Sequence, residues 1–101
     1  MTIRFVELAE AELDDAVRYY ENESSGLGAE FLAEVISAVN RIAEFPKAWQ
    51  QLETGLRRCR LNRFPYGIIY ARREDVIIVL AVAHLLREPE KWRVRLKKDE
   101  G

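Results

Sequence analysis

The side chains able to do chemistry crowd into the second half of the chain. Arg57, Arg58, Arg60, Arg63, Arg72, Arg73 and Arg87 all fall between Arg57 and Trp92, and the single histidine, His84, lies among them. Guanidinium groups carried by a rigid sheet or its edges grip phosphate or carboxylate. An imidazole that titrates near neutrality suits general acid or base work. A lone histidine at the end of an apolar strand is, however, more commonly a hydrogen-bonded structural residue, so residue type alone leaves both roles open for His84. Cys59 has no adjacent base to activate it and reads as a small core residue rather than a nucleophile. One cysteine cannot form an internal disulfide, and without a Cys or His cluster neither a metal site nor a cofactor is expected.

These groups need a frame, and the stretch 57–92 reads as three successive strands with tight connections. The unbroken apolar run from Val76 to Ala83 is the pattern of a central strand buried on both faces. In the strand before it, alternation places Arg58, Arg60 and Asn62 on one face and Cys59, Leu61 and Arg63 on the other. Phe64-Pro65-Tyr66-Gly67 is read as a bend or bulge inside the sheet, because proline cannot donate to a ladder and glycine tolerates a bend. Arg73-Glu74-Asp75 makes a hairpin turn without the glycine that would fix its type.

Ahead of the sheet, Thr2 to Val6 reads as a short edge strand. From about Ala9 to Asn22, Leu13, Ala16, Val17 and Tyr20 share one helical face. From Leu27 to Phe45, Phe31, Val35, Ala38, Val39, Ile42 and Phe45 make a second stripe, ended by Pro46. A short loop joins the two, so they form an antiparallel hairpin whose stripes require an apolar sheet face. Lys47 to Gly55 shows no period and reads as a connecting loop anchored by Trp49, and Glu90 to Lys98 as a charged tail with a last helical turn. The predicted fold class is therefore α+β, a helical hairpin on a small, mostly antiparallel sheet, followed by a short C-terminal tail or helix.

Composition restricts the function classes. A chain of 101 residues with 49% hydrophobic and 33% charged residues is one domain, 1–101, with a single core. Nothing resembles a signal peptide or a membrane span, which predicts a cytoplasmic protein without a membrane partner. The net charge of −1 conceals a division. Residues 1–54 carry four basic and eleven acidic side chains, a net −7, whereas residues 55–101 carry twelve and six, a net +6. An anionic partner for the sheet half is one reading of this asymmetry, and mutual complementation of the halves within the fold is the other.

The ordered set of Tyr19-Tyr20, Phe31-Leu32, Pro46, Arg57-Arg58, Phe64-Pro65-Tyr66, Tyr70, the run Val76 to Ala83, His84, Arg87, Pro89 and Trp92 resembles the RelE/ParE toxin superfamily. The likeness spans roughly residues 3–93 and is to the ParE branch, the plasmid-stabilisation toxins. It implies a toxin of a type II toxin–antitoxin module, held inactive in a hetero-oligomer by a cognate antitoxin, ParD-like or similar. It also implies DNA gyrase as the target, with promoter DNA reached only indirectly through the antitoxin.

The same resemblance offers an alternative, a ribosome-dependent messenger RNA endonuclease of RelE type. Its catalytic set here would be His84, Arg58 and Arg60. Against it, the position after the first tyrosine of Tyr66 to Tyr70 is an arginine in the RNases and Gly67 in this chain, and a second functional arginine is replaced by Leu85. A third reading is an inactive homologue that only binds antitoxin. The resemblance places target or antitoxin contacts at Arg57, Arg58, Arg60, Tyr70, Leu85, Leu86, Arg87 and Trp92, and implies binding rather than catalysis.

Overall fold

In a computed structural model of the chain, which describes residues 1–87, 92, 94 and 95, two helices cover one face of a five-stranded sheet. Strand β1 spans Thr2–Phe5 and leads directly into α1, Glu7–Glu23. Val6 caps that helix without a side-chain hydrogen bond, and Glu7 and Glu10 in the first turn complement its positive end instead. The helix thus begins two residues before the start expected at Ala9.

The hairpin is closed by one carboxylate. Glu21, in the last turn of α1, accepts hydrogen bonds from the backbone N–H groups of Gly26 (2.9 Å) and Gly28 (3.0 Å). These are donors at the start of α2, Leu27–Glu44, that have no partner within the helix. Gly28 must lack a side chain, because a Cβ there would lie 2.6 Å from the carbonyl oxygen of Val17. From this close approach α2 runs back along α1 and buries Phe31, Val35, Ala38, Val39 and Ile42.

Four more strands follow: β2 (Gln50–Glu53), β3 (Leu56–Arg60), β4 (Tyr66–Arg73) and β5 (Val76–His84). Their order is β1-β5-β4-β3-β2, with β1 parallel to β5 and every other pair antiparallel. The mostly antiparallel α+β fold expected from the sequence is the one found. Strand β5 is internal and buried on both faces, as its apolar run requires.

Three local expectations need correction. The loop predicted over Lys47 to Gly55 contains β2, whose residues Gln50, Gln51 and Glu53 are exposed; the strand exists because β3 pairs with it, and its composition carries no strand signal. Strand β3 stops at Arg60 rather than continuing through Arg63. The carboxylate of Glu34 on α2 accepts the N–H groups of Asn62 (2.5 Å) and Arg63 (3.2 Å), turning the chain away from the sheet. Phe64-Pro65 then lies in the connection before β4, and the bulge sits elsewhere: Ile69 pairs with Ala81 and Tyr70 with Val79, leaving Leu80 as an extra residue in β5.

The helices and the inner sheet face enclose the larger core, with Phe31, Cys59, Ile68, Tyr70, Ile77, Val79 and Val82 at its centre. A second cluster, Leu56, Ile69, Ala71, Ile78, Leu80 and Ala81, occupies the other face together with Trp92. Of the tail predicted to form a last helical turn, Val94 and Arg95 are helical, and the rest, apart from Trp92, lies outside the described residues. Among the described residues no helix is long and apolar enough to cross a membrane.

Candidate functional site

Alternation along β3 sorts the arginines between the two sheet faces. Arg57 shares the helix side with Cys59, and its Nη1 donates to the carbonyl of Trp49 (2.8 Å). Arg58 and Arg60 lie on the opposite face, paired with Ile69 and Gly67 of β4. The aliphatic stem of Arg58 runs across Gly67: a Cβ at that position would sit 3.0 Å from Arg58 Cγ and Cδ and 3.1 Å from Leu85 Cδ2. The absence of a side chain at Gly67 thus lets Arg58 and Leu85 close over the strand. Arg58 Nη2 donates to Gln50 Oε1 (2.9 Å), while its Nε is buried with no hydrogen-bond partner among the described residues. Burial, and then repulsion from Arg60, hold the Arg58 pKa below its ordinary value. Arg60 is exposed, as is Leu86 at 85%. Together Arg58, Arg60 and Leu85 form a strip that mixes cationic and apolar groups.

His84 belongs to a different place. Its ring stands edge-on to Tyr66 at 5.1 Å, and Tyr66 contacts Tyr20 and Phe31 on the helix side of the sheet. Tyr20, Tyr66 and His84, but not the fully buried Phe31, border a cleft of about 630 Å³ between α1 and the C-terminal segment. Glu12, Asp15 and Tyr19 on α1 line one wall, and Arg87, Trp92 and Arg95 the other. The volume lies in the range of small-ligand and peptide side-chain pockets. Burial raises the pKa of both Tyr20 and Tyr66, so each phenol keeps its proton at neutral pH.

The imidazole is held in one tautomer. The N–H of Leu86 donates to His84 Nδ1 (3.2 Å), which leaves the ring proton on Nε2. Desolvation and the positive charge of Arg87 lower its pKa, keeping the ring neutral. A neutral ring with Nδ1 occupied and Nε2 protonated has no lone pair available to act as a base.

The sequence-derived site is therefore divided. Arg58 and Arg60 come together with Leu85, and His84 comes together with Arg87, but the two groups occupy opposite faces of the sheet. Tyr70 is a core residue rather than a surface contact: it is 1% exposed, its hydroxyl donates to the carbonyl of Pro46 (2.7 Å), and burial pushes its pKa up to about 12. Trp92 is likewise packed into the second core at 6% exposure, with one edge on the cleft. Cys59 is fully buried and its thiol pKa is raised by that burial, as expected of an inert core cysteine. Sequence reasoning missed Glu12 and Arg95, which are adjacent only in the fold. It noted Tyr19-Tyr20 without seeing that they border a cleft.

Comparison with known proteins gives two findings. A family model described as "ParE toxin of type II toxin-antitoxin system, parDE" matches residues 3–89. Among solved structures, a chain of the chromosomal ParDE TA system from P. aeruginosa superposes with a TM-score of 0.60 at 18% identity, covering 84% of this chain and 96% of that one. At that identity the likeness is one of fold. No curated protein sequence matches.

Proposed function

Because the chain belongs to the ParE toxin family of type II toxin–antitoxin systems, we propose that it inhibits DNA gyrase by binding and that a cognate, ParD-like antitoxin neutralises it in a hetero-oligomer. In this reading the protein acts in the cytoplasm, where gyrase works, and reaches promoter DNA only through the antitoxin. The antitoxin segment that covers the toxin orders on binding, laying a helix or an added strand on its surface.

The separation of His84 from Arg58 and Arg60 carries this reading in preference to RNA cleavage. Breaking a phosphodiester needs an acid or base and positioned cations around one phosphate, and losing one such donor costs about 3 kcal/mol of transition-state stabilisation. Here the imidazole faces α1, the two arginines face away from the helices, and Gly67 and Leu85 supply no further cation between them. A mixed cationic and apolar strip is suited to holding a protein surface.

The test incubates the purified chain with gyrase, plasmid DNA and ATP, and in parallel with translating ribosomes. Trapped DNA breaks or lost supercoiling, with intact message, is the expected result. Codon-spaced cuts in message would replace this reading with the nuclease one, and inactivity in both assays would reduce the chain to an antitoxin-binding homologue.

A further inference from the structure

At the end of the sheet remote from His84, a recess of about 160 Å³ is lined by Lys47, Arg57, Tyr70 and Arg72, with Pro46 and Gly55 at its rim. The positions are fixed by the fold. Arg57 and Tyr70 are a cross-strand pair, and Arg72 lies two residues further along β4 on the same face. Tyr70 holds the connection after α2 in place through its hydroxyl bond to Pro46, which sets Lys47 above the strand ends.

Among the described residues the two guanidiniums are anchored by carbonyls rather than by carboxylates. Arg57 Nη1 donates to the carbonyl of Trp49 (2.8 Å) and Arg72 Nε to the carbonyl of Glu74 (3.0 Å). A carbonyl fixes the orientation of a guanidinium but leaves its charge and remaining N–H donors available. Among the described residues no carboxylate lines the recess. Three cations that border one recess suit a doubly charged oxyanion, which accepts several charge-assisted hydrogen bonds at once.

We propose that this recess is a phosphate-binding site formed by Lys47, Arg57 and Arg72. It has room for one phosphoryl group, with any ester chain left outside, which excludes a whole nucleotide. Two sources share this chemistry, free inorganic phosphate and the backbone of duplex DNA. The proposal stands independently of the gyrase reading, since the site is a property of the chain alone.

The test follows backbone amide shifts of the purified, isotopically labelled chain during titration with inorganic phosphate and, separately, with a short DNA duplex. Saturable shifts at Gly55, Arg57 and Arg72 are expected in at least one titration, and which of them saturates identifies the source. The double variant Lys47→Gln, Arg72→Gln changes exposed side chains only and leaves Arg57 on its anchor, so the fold is retained. It should weaken binding at least tenfold and, for duplex, reduce the slope of log K against log salt by about two. The charge-retaining pair Lys47→Arg, Arg72→Lys should bind within a few-fold of the parent. Absence of saturation in both titrations, or unchanged affinity in the Gln variant, overturns the proposal.

Discussion

Glu12 and Arg95, 83 residues apart in sequence, meet in a two-point ion pair at 2.7 and 3.1 Å, and together they complete the open edge of β5. Glu12 Oε1 also accepts the N–H of Val82 (3.1 Å), and Arg95 Nη1 donates to the carbonyl of Leu80 (3.0 Å). Pairing with β1 ends at Phe5 and Val79, so two side chains do here what the next residues of an edge strand would have done.

Replacing Glu12 by Gln should therefore cost more than an exposed salt bridge does. Arg95 is only 10% exposed, and without its counter-charge it is left partly buried and unpaired. A loss of about 2–3 kcal/mol is expected by chemical denaturation, with Arg95→Ala falling in the same range. The double variant should cost less than the sum of the two singles.

Gly67 has a second neighbour to accommodate if it gains a side chain. Gly67→Ala places a Cβ about 3 Å from Arg58 and Leu85, and the resulting crowding should destabilise the chain by about 1 kcal/mol. Adding Leu85→Ala should recover part of that loss. Gly67→Arg, which introduces the cation found in the nucleases, should not produce message cleavage, because His84 remains on the other face.

Stability should fall on mild acidification. The unfolded chain protonates its histidine near the ordinary pKa of 6.5, and His84 in the fold does so lower. Its contribution is complete above 6.5 and is lost as pH falls through the folded-state pKa. Thermal midpoints measured from about pH 7.5 to 5 should decline more steeply for the parent than for His84→Gln.

Tyr70 predicts the opposite dependence at the alkaline end. Its pKa is raised from 10.0 to about 12 by burial, so stability is complete below 10 and is lost as pH rises toward 12. Tyr70→Phe should flatten that decline. At neutral pH it should cost about 1 kcal/mol through loss of the Pro46 bond.

The main elements were legible because their signals are local. Eight apolar residues from Val76 to Ala83, short and rich in β-branched Val and Ile, have the pattern of a strand covered on both sides, and stripes at three- and four-residue spacing have the pattern of a helix burying one face. Strand β2 was not legible, since Gln50-Gln51-Leu52-Glu53 is a strand by virtue of its partner. The true end of β3 was hidden too, because polar and apolar alternation runs on to Arg63 while the decisive group, the Glu34 carboxylate, lies 28 residues away from Asn62.

The sequence by itself determined the helical hairpin, the central strand, the residue types that crowd the sheet half, and the pairing of Arg58 with Arg60 on one face. Only the tertiary structure decided where His84 points relative to them. Side chains alternate with a period of two, so the extra residue at Leu80 reverses every face beyond it and brings Val79, Val82 and His84 to the helix side together. In a run that is apolar on both faces such a reversal leaves no trace in the residue pattern. The groups that flank it, Glu12 and Arg95, meet only once the chain has folded.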